Sequence, residues 1–217
     1  MMKSKKSFYI FLSFIFILFL HISFKIFTNS QYIVTETTSS QSTALEEPSS
    51  QTYDLVTPIF NCEQSINHDE IIKVIEDILK KFPESWLQQF TDDGWHIIVT
   101  DKDINQEYFQ GRYFMVYGAT IYDEKNIYLQ PYPNMIKTSL IHEFGHYLDY
   151  SKGEISQNEL NPLLAKNIEL YNNSFSYQVE NEKELYAESL QIYFQQSQKL
   201  KEVCPELYNY WIYETKP

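Results

Sequence analysis

Cysteine is scarce in this chain of 217 residues: there are two, Cys62 and Cys204, and neither stands in a C-x-x-C or similar spacing, which excludes a cysteine-built structural zinc knuckle. In an oxidising compartment the two can pair and tie the start of a domain to its end. Two unpaired small core residues are the equally open alternative, because sequence gives no distance between them. Glycine is also scarce, five in all, while 43% of residues are hydrophobic and 17% aromatic, so the chain is neither low-complexity nor disordered as a whole. Its length suits one globular domain once the N-terminal segments are set aside. Positive charge is short too. Lys3, Lys5, Lys6 and Lys25 fall in the first thirty residues, which hold no acid, and removing these four charges from a formal net charge of −12 leaves the rest near −16. A surface of that sign repels phosphate backbones and excludes nucleic acid as a partner, though it tolerates cationic groups on a substrate.

Lys3, Lys5 and Lys6 precede an uncharged apolar run from Phe8 to Leu20 that continues weakly to Phe27, the pattern of an export segment. Two fates are open. Thr28, Asn29 and Ser30 are the only candidates for a cleavage site, and residues 8–27 are nearly long enough to span a bilayer if they are not removed. Under either fate the lysines stay cytoplasmic and the remainder is extracytoplasmic: secreted, or anchored to the outer face of the cytoplasmic membrane, touching lipid through this segment alone. Residues 1–30 are therefore read as signal peptide or anchor, the Ser-, Thr- and Gln-rich residues 31–57 as a disordered linker, and residues 58–217 as the globular domain.

Within that domain Asn67 followed by Glu70 opens a helical pattern of Ile71, Ile72, Val74, Ile75, Ile78 and Leu79, which must stop before Pro83. A shorter helical pattern covers Glu84 to Phe90, Asp93-Gly94 supplies a turn, and Trp95 to Thr100 reads as a strand. From Arg112 to Leu129 aromatic and β-branched residues predict two or three antiparallel strands, with turns at Gly118 and at Asp123 to Asn126. Asn134 is read as the cap of a helix running to about Tyr150, and three further helices are predicted over roughly Glu159 to Tyr171, Glu182 to Gln196 and Pro205 to Tyr213. The order of elements predicts an α+β arrangement, a small sheet followed by helices.

His142-Glu143-Phe144-Gly145-His146 is an H-E-x-x-H sequence. Residues four apart lie one turn above one another on a helix, so both imidazoles can reach one ion, and Glu143 is placed to take a proton from a water beside it. A catalytic zinc wants a third protein ligand, and no histidine follows His146, which leaves a carboxylate. On the segment Glu182 to Gln196, Glu184 and Glu188 lie one turn apart on one face. Glu184 is the chosen ligand, and Glu188 the group that accepts the free ring N–H of a ligating histidine. The plain alternative is that Glu180, Glu182, Glu184 and Glu188 form a solvated acidic face. Asp149 is placed either beside the ligands or at the end of the helix. His21, His68 and His96 read as structural or incidental.

Three segments, LIHEFGHYLDY (Leu140 to Tyr150), SYQVENEKELYAESLQIYF (Ser176 to Phe194) and CPELYNYW (Cys204 to Trp211), resemble the exported metalloproteases related to the catalytic domain of anthrax lethal factor and to the bacterial Pro-Pro endopeptidases. The resemblance covers about the last eighty residues well and the preceding part in outline. It implies a zincin-like α+β fold, one Zn²⁺ per chain on His142, His146 and Glu184, and catalysis by Glu143. It also implies that Tyr177, seven residues before Glu184, points into the site, where a phenol can support a developing oxyanion. Family members hold substrate along an edge strand before the motif helix. Here Tyr117 followed by Gly118, Ala119 and Thr120 looks like that strand. The turn that follows is shorter than the loop which Pro-Pro endopeptidases use near substrate, a departure that bears on a preference for proline.

The expectation is thus a monomeric, extracytoplasmic zinc endopeptidase acting on an extended protein or peptide substrate outside the cell. Its rivals are a cell-surface binding module that keeps the fold without cutting, and a secreted toxin component.

Overall fold

A computed structural model describes residues 59–62 and 68–216. The export segment, the polar linker and the Asn67 cap lie outside the described residues, as does the side chain of Cys62. Four short strands, β1 (Phe60–Cys62), β2 (His96–Val99), β3 (Gly118–Ile121) and β4 (Asn126–Leu129), form one sheet in the order β1-β2-β4-β3. Seven α-helices accompany them: α1 (His68–Leu79), α2 (Glu84–Asp92), α3 (Ile104–Phe109), α4 (Pro133–Ser151), α5 (Asn161–Ser174), α6 (Glu182–Val203) and α7 (Pro205–Glu214).

The sheet is mixed. β1 with β2 and β2 with β4 run parallel, and only β3 with β4 is antiparallel, through the turn Tyr122–Glu124 and a left-handed Lys125. Of the two or three antiparallel strands expected between Arg112 and Leu129, two form, and Gly118 opens β3 instead of marking a turn. In register, Ile97 faces Ile127 and Val99 faces Leu129, so alternation puts all four fully buried residues on one side of the sheet.

Helix α4 lies against β3 and β4. It starts at Pro133, whose missing N–H is no loss in a first turn. Asn134 therefore sits inside that turn and Tyr132 takes the cap position, a correction to the expected cap. Phe144 faces inward from α4 into an aromatic cluster, 4.6 Å from Phe82 and 5.2 Å from Phe90 between ring centroids. The opposite contact, with α6, is closer still. A Cβ built on Gly145 would lie 2.7 Å from Ala187 Cα and 3.1 Å from its Cβ, so glycine is what lets the two helices approach.

On α6 the Asn181 side chain accepts from Glu184 N at 3.0 Å and starts the helix there. The helix bends at Gln196, which has non-helical φ and ψ, the residue where its sequence pattern ends. Trp211 of α7 donates from Nε1 to Ser189 Oγ at 2.8 Å and closes the core beneath α6. Cys204, between α6 and α7, is a buried free thiol, and desolvation pushes its pKa up to about 11. No helix among the described residues is long and apolar enough to cross a membrane.

Candidate metal centre

The close packing of α4 on α6 brings three side chains together. His142 Nε2 lies 3.1 Å from His146 Nε2 and 3.4 Å from Glu184 Oε2, and His146 Nε2 lies 3.6 Å from Glu184 Oε1. Donors arranged tetrahedrally about 2.0–2.1 Å from a shared ion stand roughly 3.3–3.4 Å apart, so this set matches the edge of a zinc coordination tetrahedron. Among the described residues these three form the one such group of His, Cys, Asp or Glu. Two imidazoles and one carboxylate are also the donor chemistry that zinc takes in catalytic sites.

Behind the ligands, His142 Nδ1 lies 3.1 Å from Glu188 Oε2, and Glu188 Oε1 accepts from the Tyr171 hydroxyl at 3.0 Å and from Gln191 Nε2 at 3.3 Å. Glu188 is buried, and these partners satisfy both its oxygens. It accepts from His142 Nδ1 and leaves Nε2 turned toward His146 and Glu184. His146 Nδ1 is buried and, among the described residues, has no hydrogen-bond partner, so only Nε2 ties the ring to polar neighbours.

Burial disfavours a charged His142, but Glu184 and Glu188 outweigh it and push its pKa up to about 10. Burial and the neighbouring His142 charge lower His146 to about 3. A cation taken up by these side chains would compete with the proton that Glu184 and Glu188 favour on His142. Zinc uptake is expected to release about one proton, and the apparent affinity should rise about tenfold per pH unit between roughly pH 6.5 and 8.5, below the pKa of His142. Competition against a metal-buffering chelator across that range measures it; an affinity independent of pH would contradict this protonation state.

Glu143 is buried on the same turn. The Thr120 hydroxyl donates to its Oε2 at 2.8 Å and also lies 3.0 Å from its backbone carbonyl. Desolvation raises the Glu143 pKa, opposed by His142 and by the Thr120 bond. A Cβ on Gly118 would stand 2.9 Å from Glu143 Cγ and 3.1 Å from Oε1, so β3 can pass this close only as glycine. Among the described residues β3 pairs with β4 alone and forms the edge of the sheet. Gly118 and Thr120 thus face Glu143 from an edge strand, with buried Ala119 between them.

Tyr177, in the loop between α5 and α6, is 52% exposed. Desolvation at its phenol, then the charges of Glu184, Glu188 and Glu143, push its pKa up to about 12, so it keeps its proton beside the cluster. Asp149 is not brought to the imidazoles. Both its oxygens are taken by Ser156, from the backbone N–H and the hydroxyl, each at 2.7 Å, which fastens the turn after α4. Three contributors escape sequence reasoning: the Thr120 side chain as a partner of Glu143, Tyr171 behind Glu188, and Tyr122. The Tyr122 pKa is raised by burial and then by Glu143, Asp149 and Glu184. No local pattern marks any of the three.

Comparison with solved structures finds the same fold in the Pro-Pro endopeptidase of Paenibacillus alvei, with a TM-score of 0.59 and 18% identity over 72% of this chain and 97% of that one. At the level of fold this bears out the resemblance seen in the sequence: the chain has a zincin-like α+β architecture. No protein-family model and no curated protein sequence matches it.

Proposed function

We propose that this chain is a zinc endopeptidase that hydrolyses an extended peptide outside the cell. The observation that supports it most is the convergence of His142, His146 and Glu184 beside Glu143, at the edge of a sheet. When bound, the metal supplies a Lewis acid that polarises the scissile carbonyl and makes water acidic. The chain's own residues do the rest. The free edge of β3 offers backbone groups to an extended peptide. Thr120 holds Glu143 Oε2, which leaves Oε1, the oxygen next to Gly118, to take a proton from the attacking water. As the C–N bond breaks, Glu143 returns that proton to the amine nitrogen. Tyr177 donates a hydrogen bond to the oxyanion of the tetrahedral intermediate.

The same reading takes residues 1–30 as export signal or anchor, 31–57 as a tether, and 58–217 as a monomeric catalytic domain. The neighbour's Pro-Pro name makes proline-containing peptides the first substrates to try. The exported protein is expected to bind one zinc per chain and to cleave members of a diverse peptide library; a strong chelator should abolish the cleavage and added zinc restore it. Zinc-loaded protein that cleaves nothing in such a library would instead support a binding module on this fold.

A further inference from the structure

Where the segment before β3 meets the start of α4 lies a cavity of about 440 Å³, within the usual range for ligand pockets. Its walls are Phe114, Met115 and Tyr117, from the segment leading into β3, and Tyr132 and Met135, from the start of α4. Phe114 is 76% exposed, Tyr132 54% and Met115 50%. Large apolar groups gathered in water at one place mark a surface that meets something else. The segment is held in place: buried Asn105 accepts from the Tyr113 N–H at 3.1 Å and donates to the Tyr113 carbonyl. Tyr117 meets Tyr132 edge-on, with centroids 6.0 Å apart.

Three polar side chains in the wall are engaged elsewhere. Asp103 accepts from Gln106 N at the start of α3, Asn105 is spent on Tyr113, and Gln130 Nε2 donates to the carbonyls of Thr100 and Lys102. Rings and thioethers make the larger share of what the cavity presents to a ligand, with the Asn134 side chain beside them.

Continuity with β3 says what arrives there. Gln130 N donates to Tyr117 O at 2.9 Å and extends the β3–β4 ladder one residue beyond Gly118. A peptide laid on the edge of β3 that β4 leaves open among the described residues would run past Tyr117 toward the cavity. Two rulers bound the distance. Phe114 and Met115 precede Gly118 by four and three residues through bends at Phe114 and Tyr117, so roughly 10–13 Å of extended chain is the upper limit. Met135 precedes His142 by seven, roughly 10 Å of helix.

Resting on the endopeptidase reading above, we propose that this cavity is a specificity subsite. It takes a bulky aromatic or aliphatic side chain of the peptide, about three residues to one side of the scissile bond.

The test uses peptides built on the library's best-cleaved sequence, or on its tightest binder to the Glu143→Gln protein if nothing is cleaved. A single Phe is walked along them, with Asp as the counterpart at each place. Phe at about two to four residues on one side should raise kcat/KM at least about tenfold over Asp, and the double variant Phe114→Ala, Tyr132→Ala should bring that ratio to within about twofold of one. Binding of the same peptides to Glu143→Gln protein, read by fluorescence anisotropy, should show the same ranking and the same collapse. Cleavage without preference, or a preference that survives the double variant, overturns the subsite and leaves proteolysis standing. Ranked binding with no cleavage by the unaltered protein overturns proteolysis and leaves the subsite. Neither binding nor cleavage overturns both.

Discussion

Glu143→Gln should leave zinc bound and lower kcat/KM by about 10²–10⁴-fold, the range that general-base catalysis supplies. At 1.36 kcal/mol per tenfold this is about 3–5 kcal/mol of transition-state stabilisation. The substitution is nearly isosteric, and an amide oxygen can still accept from the Thr120 hydroxyl, so the side chain stays where it is. What disappears is the lone pair able to bind a proton. Zinc content by metal analysis should stay at one per chain, since Glu143 stands outside the cluster of His142, His146 and Glu184. Turnover within about tenfold of the unaltered protein would remove Glu143 from the role of base.

The second large effect is expected at a residue with no functional group. On an exposed helix, Gly→Ala stabilises by up to about 1 kcal/mol. At Gly145 the sign should reverse, because the added methyl would meet the Ala187 backbone at 2.7 Å, and a backbone atom cannot swing aside. Overpacking of this kind costs roughly 1–3 kcal/mol, which for a domain of this size lowers Tm by roughly 3–10 °C. The methyl would also push α4 from α6, and with it His142 and His146 from Glu184. Zinc affinity should therefore fall at least about tenfold together with Tm, in the manner of a ligand set displaced by its supports. Calorimetry and a metal competition assay on Gly145→Ala check both. A variant as stable as its parent, binding zinc equally well, would show that the helix contact does not set the ligand geometry.

What could be read in the sequence follows from which interactions are periodic. The pair His142 and His146 is visible because helical spacing alone puts them on one face, and Glu184 and Glu188 share a face for the same reason. Their convergence is tertiary, and it depends on Gly145 against Ala187, a contact that leaves no pattern in either segment. Strand segments were legible by composition, yet strands of four residues carry no mark of their partner's direction, so the parallel pairing of β2 with β4 was not. Thr120 and Glu143 are 23 residues apart, and Tyr171 and Glu188 are 17 apart. A hydroxyl meeting a carboxylate across two elements has no sequence signature. Sequence leaves Asp149 two roles at the end of its helix; Ser156 decides between them by occupying both oxygens.

The bond from Thr120 to Glu143 makes the sheet's outermost strand and the proton acceptor one mechanical unit. Any fraying of an unoccupied β3 would carry the carboxylate with it. A guest chain zipped along that border would damp the fraying and hold the carboxylate still at the moment it is needed. Readiness for reaction would then rise with occupancy, and the cleft would idle when nothing is seated in it.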